Sequence, residues 1–66
     1  MKWYNFETMF HSLRDSLRGF LHSEKIRYEL SGGPGFYHFE ILTDSAGAEK
    51  INAFLDSVTI TEIPAA

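Results

Sequence analysis

The sequence predicts an α+β fold: a two-layer α/β sandwich in which two helices lie on one face of a three-stranded sheet, in the order α-β-β-α-β. Three observations predict it. Apolar residues recur at helical spacing over residues 6 to 23 and again over 45 to 57. Apolar and polar residues alternate on both sides of a glycine-proline turn in IRYELSGGPGFYHFEILT, Ile26 to Thr43. A last short alternation, VTITEI, runs over residues 58 to 63. Neither kind of element can bury its apolar side alone, so helices and sheet must cover one another.

The first helix is expected over about 6 to 23. Phe6, Met9, Phe10, Leu13, Leu17, Phe20 and Leu21 fall within roughly 120° of one another at about 100° per residue. Asn5 is a suitable N-cap, Glu7 suits the first turn, and Tyr4 can meet Met9 as a hydrophobic staple. Gly19 interrupts the pattern, but Phe20 and Leu21 continue it, so the helix runs through at a cost of about 1 kcal/mol relative to alanine.

The hairpin spans about 25 to 43. Inward residues of both strands must lie on one side of the sheet. Pairing Leu30 with Tyr37, Tyr28 with Phe39 and Ile26 with Ile41 meets that rule and leaves a loop from Gly32 to Gly35. On the other face it sets Arg27 against Glu40 and Glu29 against His38. The register two residues shorter sets Glu29 against Phe36 and Arg27 against His38. Cross-strand opposite charges favour the first by a few tenths of a kcal/mol, so the first is the expectation.

Asp44 or Ser45 caps the second helix, about 45 to 57, with Ala48, Ile51, Phe54 and Leu55 inward and Glu49, Asn52 and Asp56 outward. In the closing strand, 58 to 63, Val58 and Ile60 form the inward pair, and Pro64 ends it. Strand 36 to 43 has apolar residues on both sides and belongs at the centre. Strand 25 to 30 makes an edge guarded by Lys25, Arg27 and Glu29. The last strand then lies beside the centre through a right-handed crossover, or beside the first strand in a fully antiparallel sheet. Both orders resemble a ferredoxin-like α/β sandwich with its first strand missing, a likeness of architecture that implies no function.

A chain of 66 residues makes one domain, residues 1 to 66, near the lower limit for folding unaided. Without cysteine it has neither disulfide nor thiolate metal site. Its 44% hydrophobic and 15% aromatic residues offer dense packing instead, and a homodimer is a second means of support. No apolar run approaches the roughly 18 residues that span a membrane. The start, MKWYNFETMF, lacks the pattern of a secretory signal, so a complete, cytoplasmic gene product is expected. The net charge of −3 opposes non-specific phosphate binding and is too small for a nucleic-acid mimic. Size and mild acidity alone match many phage and mobile-element proteins.

Few residues form a chemical constellation. Ser31-Gly32-Gly33-Pro34-Gly35 leads into a strand, whereas a phosphate-cradling loop leads into a helix, so it reads as a plain turn. His11 and His22 share a helix side but stand about 16 Å apart along the axis. His11 and Asp15 have ligand spacing but no third partner. No catalytic residues, metal site or cofactor are expected, and His38 is accounted for by Glu29.

Two features point to binding. The outward row Phe36, His38, Glu40 and Leu42, flanked by Lys25, Arg27 and Glu29, has the make-up of an interface core with a polar rim. Trp3 and Tyr4 add aromatic surface of the kind that anchors interfaces. A stripe of small residues, Ser12, Ser16, Gly19 and Ser23, either packs on the second helix or receives another chain.

The expected function is a small non-enzymatic protein–protein interaction module, an inhibitor, adaptor or regulatory subunit docking on a larger protein. Trp3, Tyr4, Phe36, His38 and Leu42 carry the contacts, and Arg27 and Glu40 set the orientation. The alternatives are single-stranded nucleic-acid binding, with Phe36 stacking on bases, and a small enzyme subunit whose site is completed at a homodimer interface.

Overall fold

The computed structural model describes residues 1 to 58. They form β1 (Lys2–Thr8), α1 (His11–Ser23), β2 (Arg27–Gly33), β3 (Phe36–Thr43) and α2 (Ser45–Ser57). One antiparallel sheet in the order β1-β3-β2 is covered by the two helices, so the α+β sandwich holds, with strand 36 to 43 at its centre and β2 at an edge. The order of elements over these residues is β-α-β-β-α. It departs from the expected order at the N-terminus, where a strand stands in place of the first turns of the helix. The first strand is therefore not missing. Residues 59 to 63 of the expected closing strand lie outside the described residues. The place beside β3 that the first strand order assigns to it is taken by β1.

β1 forms because KWYNFET also carries a period of two. Tyr4, Phe6 and Thr8 point to the core while Trp3, Asn5 and Glu7 stay exposed. The helical spacing of Phe6, Met9 and Phe10 loses to the need of a central strand for neighbours on both edges. Asn5 consequently caps nothing. The helix starts at His11 behind Phe10, whose side chain makes no cap, while the Phe10 N–H donates to Thr8 Oγ1 at 3.1 Å. Leu13, Leu17 and Leu21 then bury the helical stripe.

The hairpin adopts a register two residues longer than the expected one. Leu30 pairs with Phe39, Tyr28 with Ile41, Glu29 with Glu40 and Arg27 with Leu42, closing on a two-residue turn of Pro34 and Gly35. Parity is kept, since a shift of two residues leaves every side chain on its own face. Proline followed by glycine at φ 85° is the residue pattern of a type II turn. Gly32 also has a positive φ, 101°, and a Cβ there would collide with the Phe36 carbonyl oxygen.

α2 matches its expected bounds. Asp44 is the cap, its Oδ1 accepting the Gly47 N–H at 2.8 Å. Ile51 is buried, with Ala48, Phe54 and Leu55 half-buried. The core is Leu17 and Leu21 from α1, Phe39 and Ile41 from β3 and Ile51 from α2. Phe39 is its hub, with the rings of Phe6 and Tyr28 at 6.3 and 5.9 Å. The helices meet through Phe20 and Phe54, stacked with centroids 4.4 Å apart. Both thus cover the face of β3 that carries Tyr37, Phe39 and Ile41, and among the described residues no element covers the opposite, open face.

Candidate interaction surface

The open face of the sheet is a small grid set by the two registers. Its first row runs Trp3, Leu42, Arg27 from β1 through β3 to β2. The second runs Asn5, Glu40, Glu29, and the third Glu7, His38, Ser31; Phe36 and Gly33 end the grid beside the turn. Six of the seven expected contact residues, Trp3, Arg27, Phe36, His38, Glu40 and Leu42, therefore share one uncovered surface. Trp3 owes its place to β1: the sequence marks it as aromatic surface, but only the strand sets it next to Leu42. Tyr4 alternates to the other side, where it is half-buried opposite Ile41.

Apolar groups stand at both ends of this face. Trp3 is 45% exposed and Phe36 52%, values high for such large side chains on a strand, and Leu42 is half-buried between Trp3 and Arg27. Six residues of extended chain separate Leu42 from Phe36, about 20 Å. Between these ends lie three carboxylates, Glu7, Glu29 and Glu40. The expected pairs Arg27–Glu40 and Glu29–His38 are not formed. Glu29 instead faces Glu40, and among the described residues neither has a cation within 4.0 Å.

His38 turns toward β1. Its Nε2 donates to Asn5 Oδ1 at 3.2 Å, and its Nδ1 lies 3.9 Å from Glu7 Oε2, an ion pair when the ring is protonated. Ser31 stands across β3 from Glu7, so the row Glu7, His38, Ser31 has the residue types of a hydrolytic triad. The geometry is wrong for one. Both imidazole nitrogens meet β1, at Asn5 and Glu7, so neither is left to activate Ser31.

The helical side is occupied by ordinary pairings. Arg14 Nε donates to Asp15 Oδ1 at 2.9 Å, and the Arg14 guanidinium sits 4.6 Å over the Tyr37 ring. The hydrogen bond from Arg14 is the main reason the Asp15 carboxyl lies below its usual value of 3.8, with the charges of Arg14, Arg18 and His11 adding to it. His22 Nε2 meets the Tyr28 hydroxyl at 2.9 Å. The glycine-rich segment lines a shallow groove with Arg14, Arg18 and Tyr37, and its role is that of a turn. A second, mostly apolar groove of about 140 Å³ runs between β1 and α2, with Tyr4, Phe6, Ile51 and Leu55 in its lining and the polar Asn5 and Asn52 beside them.

The small-residue stripe is exposed along α1, and at Gly19 a Cβ would meet nothing within 4 Å, so the stripe is not where the helices pack. Among the described residues no three His, Asp or Glu side chains gather closely enough to hold a metal ion, and no helix is long and apolar enough to cross a membrane. No family model, curated protein or solved structure matches this chain.

Proposed function

We propose that the chain is a small non-enzymatic interaction module that docks on a larger protein through the open face of its sheet. The observation that carries this reading is the grouping of Trp3, Leu42 and Phe36 with Arg27, His38 and Glu40 on one surface that neither helix covers. Large apolar side chains interleaved with charges are the make-up of an interface, in which a few aromatic anchors supply most of the binding energy. An inhibitor, adaptor or regulatory subunit needs no more than such a surface on a rigid support.

The nucleic-acid alternative gains a second aromatic in Trp3, but it must place phosphates among Glu7, Glu29 and Glu40 with Arg27 as the main opposing charge, which is unfavourable. The composite-enzyme alternative rests on His38, and the bonds to Asn5 and Glu7 supply it with no nucleophile.

The test uses the tagged chain as bait in a lysate of its source, with the captured protein identified by mass spectrometry. Trp3→Ala, Phe36→Ala and Leu42→Ala are each expected to lower retention of that protein by about tenfold or more, as interface anchors do. Asp15→Asn, on the helical side, is expected to leave retention unchanged. Equal capture by all four variants, with circular dichroism showing the fold intact, overturns the proposal.

A further inference from the structure

The register leaves a charge arrangement on the open face that specifies what should cover it. Glu29 and Glu40 face each other across β2 and β3, and Glu7 on β1 is the diagonal neighbour of Glu40. Among the described residues of the paired rows, Arg27, at a corner of the grid, and a protonated His38 are the groups that offset them, and His38 is directed to Glu7 and Asn5. The carboxylates are too dispersed to share a metal ion. They form a belt across the middle of the face, with Trp3 and Leu42 on one side and Phe36 on the other.

Resting on the docking role proposed above, we infer that the partner's surface is basic: it sets arginine or lysine side chains against Glu29 and Glu40, between apolar groups that cover Trp3–Leu42 and Phe36. A partner that excludes water from Trp3 and Phe36 also desolvates the belt between them. Two facing carboxylates without a counter-ion oppose that step, and a guanidinium or ammonium between them reverses it. A second copy stacked face to face is disfavoured by the same arrangement, since it lays one acidic belt on another. Nucleic acid brings further negative charge to the belt.

The experiment selects random peptides, displayed on phage, against the immobilised chain at low salt. Winners are then measured in solution by the emission of Trp3, the sole tryptophan. The expected winners carry net positive charge with an aromatic or leucine residue, shift Trp3 emission to the blue, and lose about tenfold or more in affinity for the double variant E29Q/E40Q. They also weaken as salt rises from about 0.02 M to about 0.3 M, because the charge pairs are screened.

Winners that shift Trp3 but are neutral or acidic, or that bind E29Q/E40Q equally well, overturn the inference while leaving the docking face in place. Winners that leave Trp3 unchanged and bind Trp3→Ala and Phe36→Ala normally place binding elsewhere, and overturn both readings. A concentration-dependent blue shift of the chain alone, with a dimer mass by light scattering, assigns the face to a second copy. Oligonucleotide binding that shifts Trp3 at low salt assigns it to nucleic acid. Either result also overturns the inference.

Discussion

Gly19 shows how far one residue's surroundings decide its effect. It lies inside α1, exposed, with open space where a Cβ would stand. A methyl group there meets no neighbour and restricts the unfolded chain, so Gly19→Ala is expected to raise stability by about 0.8–1 kcal/mol. For a domain of this size that is a rise in Tm of about 4–8 °C, readable by circular dichroism. The change also probes the small-residue stripe, because a docked helix needs that flank bare. Unchanged partner capture by Gly19→Ala is the expected result. Gly47 shows the reverse situation, since it is buried and a Cβ there runs into the Thr43 side chain. Two helical glycines thus have opposite roles, and the sequence distinguishes neither. The same holds for His38: the residue and its outward direction are legible, but its partners Asn5 and Glu7 belong to β1, a strand masked by the helical spacing of Phe6, Met9 and Phe10.

At the scale of elements, the hairpin shows what local pattern determines and what it leaves open. Alternation assigns every side chain between Tyr28 and Leu42 to its correct face, and it gives the central place to β3. It does not choose between registers that differ by two residues, because all of them keep parity. Charge pairing across two strands is a poor arbiter when one strand is central, for its residues then have neighbours on both sides. His38 finds Glu7 and Asn5 on β1, and Glu40 is left facing Glu29. The strand that supplies those neighbours is hidden because Phe6, Met9 and Phe10 extend the helical stripe of Leu13, Leu17 and Leu21 by coincidence. Like charges directly opposite destabilise a sheet by a few tenths of a kcal/mol to about 1 kcal/mol. Glu29→Gln is therefore expected to stabilise the fold by a few tenths of a kcal/mol, and Glu29→Lys by more. A double-mutant cycle with Glu40→Gln should show the coupling. If Glu29→Lys stabilises no more with Glu40 present than with Gln in its place, the observed pairing of Glu29 with Glu40 is wrong.

At the scale of the whole molecule, β3 serves both layers, and two of its phenylalanines separate fold from function. The single core of a 66-residue chain supplies about 3–5 kcal/mol of stability. Phe39 has no exposed surface and sits where both helices and both neighbouring strands converge. Truncating such a side chain to alanine costs about 3–5 kcal/mol, through lost burial and the cavity left behind. That is comparable with the whole, so Phe39→Ala is expected to be largely unfolded at 25 °C, with a weak, broad urea transition. Phe36 stands three residues away on the opposite face, half of it already in water. Phe36→Ala removes the buried half of one side chain and leaves no enclosed cavity, so it is expected to cost about 1–2 kcal/mol and to remain folded. Urea unfolding of the two variants checks both values. The contrast also sharpens the functional test, because a loss of partner capture in Phe36→Ala cannot then be assigned to unfolding. If Phe36→Ala unfolds as Phe39→Ala does, Phe36 is a structural residue and the open face loses one of its anchors.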